Sequence, residues 1–551
     1  MDPLPDATLG TRRAPTLLAL LLAAAFAFKA YSALSLASRG VTFFIDDAFY
    51  YLLIARNFAD TGVPTFDGVN PTNGFHPLWM LLLAAMYKVI GTGTDPFTQL
   101  VAAKALEMSA LGGSLAACAF AFQRLHRRTP LAWGFAGAAL VLLAPRLYLF
   151  DQGMESTLAA GLLLAALFAV IDRHRLLLAV VLPLLFLARL DSLVFVIAPL
   201  ASWWIVRDRA SLREHAATFA PVAITAAAFI ALNLALTGHA NTISGQIKSS
   251  FPSLTLHWSY LVEPLFTGPL FGWRVLYALP NAFVPTVVIA MLAIVATMRR
   301  REPWARPVAW ILLMSALLVA NVALFQRWDK GVDARYLSLP YVLLGFALFA
   351  TVAALRVRAA LAAFGALFLA IAAVLLLRHA EEKPLRMELT RVNEVKAKTA
   401  PGERFAGTDV GAFAFWLERP FVNLDGLVNN RALQDAIRDK RLADYLERQD
   451  VRYLLAAFWD REQALVAERP ERMYRSRIFP EGVKGADYAH YDFDLYSYIH
   501  DAESDAIRLC PSEEIFREAI GRDGLANAAI VIYRLPRPVR RAAADARCPG
   551  R

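Results

Sequence analysis

Two adjacent carboxylates, Asp46 and Asp47, head a run with helical spacing that also carries Arg56. The run breaks into turns at Gly62, Pro64, Gly68, Pro71 and Gly74. Asn73 and His76 follow, His76 directly before Pro77. Further along come Asp151 and Glu155 in RLYLFDQGMEST, Arg189 and Asp191 on either side of Leu190, Lys248 in SGQIKSS, and Asp333, Arg335 and Tyr336 in VDARY. Carboxylates among Arg, Lys and His suit a reaction on a phosphorylated lipid. The cations bind phosphate, and a carboxylate takes the proton of an attacking hydroxyl. Paired acids beside an apolar segment are costly to desolvate, which favours a site. The plainer alternatives stand beside it: one Asp caps the helix from Ala48, Arg189 and Asp191 close a short turn, Arg335 snorkels to an interface, and Lys248 is solvated.

The elements that position these residues are apolar. The chain has 551 residues, 57% of them hydrophobic, which excludes an ordinary soluble domain. Repeated apolar runs of roughly 18–22 residues each match a bilayer core about 30 Å thick. A polytopic α-helical membrane protein is expected. The net charge of +10 comes largely from Arg and Lys in short loops between the runs, where they set orientation. Aromatic-rich basic patches are absent, so no nucleic-acid partner is expected. No fixed-period repeat is present.

Arg12 and Arg13 hold the start of a first span, 15–36, in the cytoplasm, and the Asp46–Asp47 loop then lies outside. The run 76–90 is short and reads as an interfacial helix. Further spans fall at 97–122, 131–150 and 157–171, then a short helical pair at 176–188 and 193–206 with Arg189-Leu190-Asp191 at its turn. Spans at 218–236, 283–298, 308–325, 337–355 and 359–377 complete about 11 transmembrane helices. The count puts the basic loops on one side and the polar residues above on the other. The predicted domains are 1–378, transmembrane with outer loops, and 379–551, a charged extracytoplasmic tail. Strand-like runs at 404–407, 421–424, 453–457 and 529–534 alternate there with helical ones at 431–449 and 513–519, which reads as a soluble C-terminal α/β domain. Cys118 is a packing residue in a span; whether Cys510 and Cys548 pair is open. Met1–Arg13 is polar, and the apolar run after it is expected to remain as an anchor.

The segments FFIDDAFYYLLIARNFADTG, TNGFHPLW, QGMESTL, LARLDSLVF and DARYLSLPY together resemble the GT-C superfamily of integral-membrane glycosyltransferases, in its arabinofuranosyltransferase-like and mannosyltransferase-like branches. The tail segment GERFAGTDVGAFAFWLERPFVNLDGLVNN is similar to tails of that group. The resemblance implies a polyprenyl-phosphate-sugar donor, a glycan, lipid or protein acceptor, and a bacterial inner membrane with the tail in the periplasm. It makes Asp46 or Asp47 the general base, with Asp46 slightly preferred, and Glu155 the second acidic position. His76 falls where related transferases carry a residue that contacts the lipid phosphate, although a His there is charged only in part near neutral pH. Arg335 with Tyr336, Lys248 and Arg189 are further candidates for that phosphate; Arg56, Asn73 and Asp191 are candidates for substrate contacts.

The implied reaction is a single displacement that inverts the anomeric centre. No cofactor is certain; Asp46, Asp47 and Glu155 could form a hard-oxygen site for a divalent cation, but no essential metal is expected. The alternative is a transporter or flippase of a lipid-linked saccharide. Transporters tend to carry their charges at the bilayer midplane on repeated, interrupted helices; here the acids sit at span ends and no halves match.

Overall fold

The structure, a computed structural model, describes residues 8–42, 44–125, 138, 152–208, 210–256, 304–327, 336, 338–354, 385–386, 389–458, 491–519, 529–542 and 548. Apart from residue 138, the spans expected at 131–150, 283–298 and 359–377, and the residues Asp151, Asp333 and Arg335, lie outside these.

Apolar runs become helices in chain order: α1 (Thr8–Ala37), α2 (Asp46–Thr61), α3 (Pro77–Ile90), α4 (Pro96–Leu125), α5 (Ser156–Asp172), α6 (Arg175–Ala188), α7 (Ala198–Arg207), α8 (Leu212–Thr237), the short α9 (Ile243–Lys248), α10 (Ala305–Phe325) and α11 (Ser338–Ala354). Local chemistry sets several ends. Pro77 opens α3 at a position that needs no amide donor. Ser211 and Glu214 form a reciprocal capping box on α8, which stops at a left-handed Gly238. Among the described residues α4, α8 and α10 are long and apolar enough to cross a bilayer, and the chain is a membrane protein. The run expected to be interfacial is α3, 14 residues long. Leu111, Leu163, Leu182, Ile311 and Val342, one from each of α4, α5, α6, α10 and α11, are fully buried in one apolar cluster. A single π turn, Leu193–Ile197, leads into α7 just after Asp191.

After α1 the two-residue strand β1 (Val41–Thr42) pairs antiparallel with β2 (Leu385–Arg386), which returns the chain beside its own first helix. Beyond β2 come α12 (Leu389–Lys398), β3 (Arg404–Gly407), α13 (Gly411–Leu417), β4 (Phe421–Asn423), α14 (Arg431–Arg438), α15 (Leu442–Arg448) and β5 (Val451–Phe458). The short strands β6 (Tyr491–Phe493), β7 (Tyr496–Ser497), β8 (Ala502–Glu503) and β9 (Ile507–Leu509) precede β10 (Glu514–Ala519) and β11 (Ala529–Arg534). A five-stranded sheet runs β10-β11-β5-β3-β4. Its β3–β4 and β3–β5 pairs are parallel and its β5–β11 and β11–β10 pairs antiparallel.

Two expectations in this region are corrected. The run 513–519 is not helical: from Glu514 it is an edge strand, because β11 offers it an antiparallel partner that local helix propensity does not outweigh. The run 431–449 is two helices, broken where Lys440 adopts φ 57°. Cys510 and Cys548 form a disulfide, and Cys118 is buried and free.

The two halves meet across α2. Every residue from Ala48 to Ala55 is buried, as expected of a helix that is covered all round. Phe49 of α2 packs against Phe415 of α13 with ring centroids 5.3 Å apart. Two glycines permit the closest approaches. A Cβ at Gly74 would lie 1.8 Å from the Leu427 carbonyl oxygen, and one at Gly411 would lie 2.3 Å from that of Asp46.

Candidate active site

A cavity of about 300 Å³ lies where α2, the loop before α3, the start of α5, the Arg189–Asp191 turn, α9, the end of α10 and the 427–428 loop converge. Asp47, His76, Glu155, Arg189, Asp191, Lys248 and Tyr336 all line it. Seven residues predicted from sequence are therefore brought to one place.

Glu155, at the head of α5, is the hub of one wall. One of its carboxylate oxygens is 3.3 Å from Arg189 Nη1, and the other accepts from the Tyr51 hydroxyl at 3.1 Å. Arg189 in turn donates from Nε to Asp191 at 3.1 Å. Arg189 thus bridges two carboxylates that face it from different sides. His76 Nε2 stands 3.6 Å from Glu155. The His76 Nδ1 accepts from the Leu190 amide at 3.4 Å, an arrangement that leaves the ring proton on Nε2. Burial lowers the His76 pKa and outweighs the neighbouring Glu155, which favours the neutral ring. Its role as a cationic phosphate ligand is weakened accordingly.

Lys248 Nζ lies 3.5 Å from Asp47 and 5.9 Å from the centre of the Tyr336 ring. Lys248 is the last residue of α9, whose first turn is capped by the Thr242 hydroxyl. The cavity is therefore lined by two acid–cation sets, Asp47 with Lys248 and Glu155 with Arg189. Its remaining wall includes apolar groups such as Ile54, Phe325, Leu427 and Val428.

Asp46 is elsewhere. Its two oxygens accept from the backbone amides of Gly411 at 2.9 Å and Ala412 at 2.8 Å, at the start of α13. Burial raises its pKa against those two hydrogen bonds. The preference for Asp46 as the base does not match this geometry: Asp46 ties α2 to the C-terminal unit, and Asp47 faces the cavity. Asn73 accepts from the Ile243 amide at 2.9 Å and meets Asn233 at 3.3 Å, so it braces α9 rather than lining the cavity. Arg56, more than two turns along α2 from Asp47, does not line it either.

Several participants were not found from sequence. Tyr51 holds Glu155, and Leu427 and Val428 close the cavity from a loop that had no chemical signature. Tyr50 donates to Asp425 of that loop at 2.6 Å. Burial pushes Asp425 up to about 7, with Asp46 adding to the rise. Lys104 and Glu107, ion-paired inside α4 at 2.7 Å, lie outside the set predicted from sequence. Their signal was present, since two ionisable residues three apart in an apolar span are unusual. Among the described residues no group of three or more His, Cys, Asp or Glu is placed to hold a metal ion. With Asp46 committed to backbone amides, the three acids proposed for a cation do not fit one.

The architecture has counterparts among solved structures. ArnT from Cupriavidus metallidurans bound to undecaprenyl phosphate superposes with a TM-score of 0.54 at 12% identity, over 92% of this chain and 97% of that one. The fold is the GT-C fold. The apo state of the same ArnT gives a TM-score of 0.48 at 13% identity, covering 77% of this chain and 90% of that one. The oligosaccharyltransferase AglB from Archaeoglobus fulgidus, in complex with an inhibitory peptide and a dolichol-phosphate, gives 0.47 at 10% identity, covering 81% and 70%. By sequence, a family model described as a domain of unknown function (DUF8728) matches residues 378–500. No curated protein matches by sequence. In this GT-C fold the matched segment holds α12 to α15 with β3 to β5, and so includes both Asp425 and the cavity-lining Leu427 and Val428.

Proposed function

We propose that this chain is a membrane glycosyltransferase that moves a sugar from a polyprenyl-phosphate donor to a hydroxyl of a cell-envelope acceptor at the extracytoplasmic face of a bacterial inner membrane. The observation that carries the reading is the cavity in which Asp47 with Lys248 and Glu155 with Arg189 stand together. The fold shared with a protein solved with undecaprenyl phosphate supports a lipid phosphate as the ligand.

Asp47 is the base. It takes the proton from the acceptor hydroxyl as that oxygen attacks the anomeric carbon. The bond from that carbon to the phosphate oxygen breaks, and polyprenyl phosphate leaves with the electron pair. One displacement inverts the centre. Lys248 and Arg189 stabilise the charge that grows on the leaving phosphate, as preorganised cations do. Neutral His76 adds a donor from Nε2. Glu155 and Asp191 hold Arg189 in place, and Tyr51 holds Glu155. Arg335 belongs to the same proposal from sequence alone.

The test uses purified protein in lipid nanodiscs with a panel of polyprenyl-phosphate monosaccharides and candidate acceptors, following release of polyprenyl phosphate. Turnover with one donor, lost in Asp47→Asn while donor binding remains, is the expected result. Turnover that survives Asp47→Asn overturns the base assignment. Donor translocation across the bilayer without cleavage overturns the transferase in favour of a carrier.

A further inference from the structure

Lys104 and Glu107 lie within α4, and their side chains are 2% and 0% exposed. Two ions inside a membrane helix carry a desolvation cost that their mutual attraction only partly offsets. Their geometry explains where that cost goes. One Glu107 oxygen meets Lys104 Nζ at 2.7 Å, and the other accepts from the Gly153 amide at 2.7 Å. The carbonyl of the same glycine accepts from Trp79 Nε1 at 2.9 Å. Lys104 Nζ also sits 4.2 Å above the Phe44 ring.

Gly153 is thus gripped at its amide and its carbonyl. Its φ of +75° is one that side-chain-bearing residues avoid, and a Cβ there would lie 2.6 Å from Phe44 and 2.8 Å from Ala48. Just before it, the Gln152 carbonyl accepts from the Ile45 amide at 3.2 Å, which ties the turn to the start of α2. Two residues after it, Glu155 carries the contacts to Arg189, Tyr51 and His76.

We infer that Glu107, held by Lys104, is a positioning residue that sets the 152–155 turn and through it the place of Glu155 in the cavity. The inference concerns geometry within the chain; its consequence for ligand affinity rests on the lipid-phosphate reading above. The essential element is the acceptor facing Gly153, and Lys104 serves to keep that acceptor aimed.

Two charge-neutral double variants separate this from a packing role. Lys104→Met with Glu107→Gln keeps a carbonyl acceptor for the Gly153 amide. Lys104→Met with Glu107→Leu removes it, and replacing a whole buried pair by apolar groups is often neutral for stability. The first readout needs no ligand: amide hydrogen exchange in peptides covering 152–156, in nanodiscs. Exchange at least about tenfold faster in the Leu variant than in the Gln variant, at similar Tm, is expected, one lost hydrogen bond being worth about that factor. Equal exchange in the two overturns the inference. The second readout is affinity for undecaprenyl phosphate. The Gln variant should bind within about twofold of wild type and the Leu variant about tenfold or more weaker, as misplacement of a site group by an ångström can do. Equal affinities overturn the consequence for the site. If wild type itself does not bind this lipid, the lipid-phosphate reading falls and exchange still decides the positioning role. Should the Leu variant fail to fold, Lys104→Met with Glu107→Met, nearer the native side chain in length, deletes the same acceptor for the Gly153 amide. Unchanged exchange at 152–156 in that variant overturns the inference.

Discussion

Asp46 and Asp47 are consecutive in α2 and have partners in different halves of the molecule. Asp46 accepts from the amides of Gly411 and Ala412, while Asp47 faces the cavity, 3.5 Å from Lys248. Successive residues of an α-helix point about 100° apart, so the two adjacent carboxylates are aimed at different neighbours. The helix is buried between the bundle and the C-terminal unit, and the pair divides between docking and site.

Substitution should separate these roles. Asp47→Asn is expected to lower turnover by ~10²–10⁴-fold, the usual contribution of a general base, with Tm unchanged. Asp46→Ala is expected to cost about 1–3 kcal/mol of stability, because two buried amides lose their acceptor. Thermal melts beside donor-release assays check the pair. An Asp46 variant with wild-type stability and no turnover would reverse the assignment.

Lys248 and Arg189 should differ in kind. Lys248 is more exposed to the cavity, and Lys248→Met removes one charge-assisted contact to a bound phosphate, worth about 1.5–3 kcal/mol. Affinity for undecaprenyl phosphate should drop by ~10–100-fold, measured by titration in nanodiscs. Arg189→Lys keeps the charge and loses the fork that spans Glu155 and Asp191. Its affinity should fall even though the charge is conserved. Retention of wild-type affinity in Arg189→Lys would show that the bridge does not matter.

Asp425 makes docking of the C-terminal unit sensitive to pH. Burial raises its pKa from 3.8 to about 7, so the folded state holds a proton that the unfolded chain releases. The stability it contributes is fully present below 3.8 and is lost as pH rises through about 7. Tm followed across that window should therefore decline toward neutral pH. Asp425→Asn, which leaves an acceptor for the Tyr50 hydroxyl, should flatten the decline and raise Tm above pH 7. An unchanged pH profile in this variant would rule out Asp425 as the sensor.

Gly74 tests the closure of the cavity from the C-terminal side. Gly74→Ala puts a methyl group 1.8 Å from the Leu427 carbonyl oxygen, a backbone atom, so the 427–428 loop must move. Faster proteolysis between 424 and 430 is expected, together with weaker lipid-phosphate binding. Gly62→Ala has open space around its Cβ and is the matched control: it pays only the cost of a positive φ, about 1 kcal/mol. Equal behaviour of the two would mean that the close approach has no consequence.

Local pattern carried much of this protein. Apolar runs predicted α4 to α8, α10 and α11 within about three residues except at the starts of α7 and α8, which differ by five and six, since the length and hydropathy of a helix are written in consecutive residues. The same holds for β3, β4, β5 and β11, and for the polar types gathered around the cavity. Other features depend on partners distant in the chain. Glu514–Ala519 became a strand because β11 lies beside it. Arg189 bridges Glu155 and Asp191 only because α5 and the Arg189 turn converge. Glu107 meets Gly153 across two segments that no spacing connects. Residue types and their periodicity were thus determined by the sequence itself, which made acids and cations at helix ends predictable. Which acid faces the cavity, what closes it, and what holds Glu155 were decided by tertiary packing, because azimuth and long-range hydrogen bonds exist only once the helices are assembled.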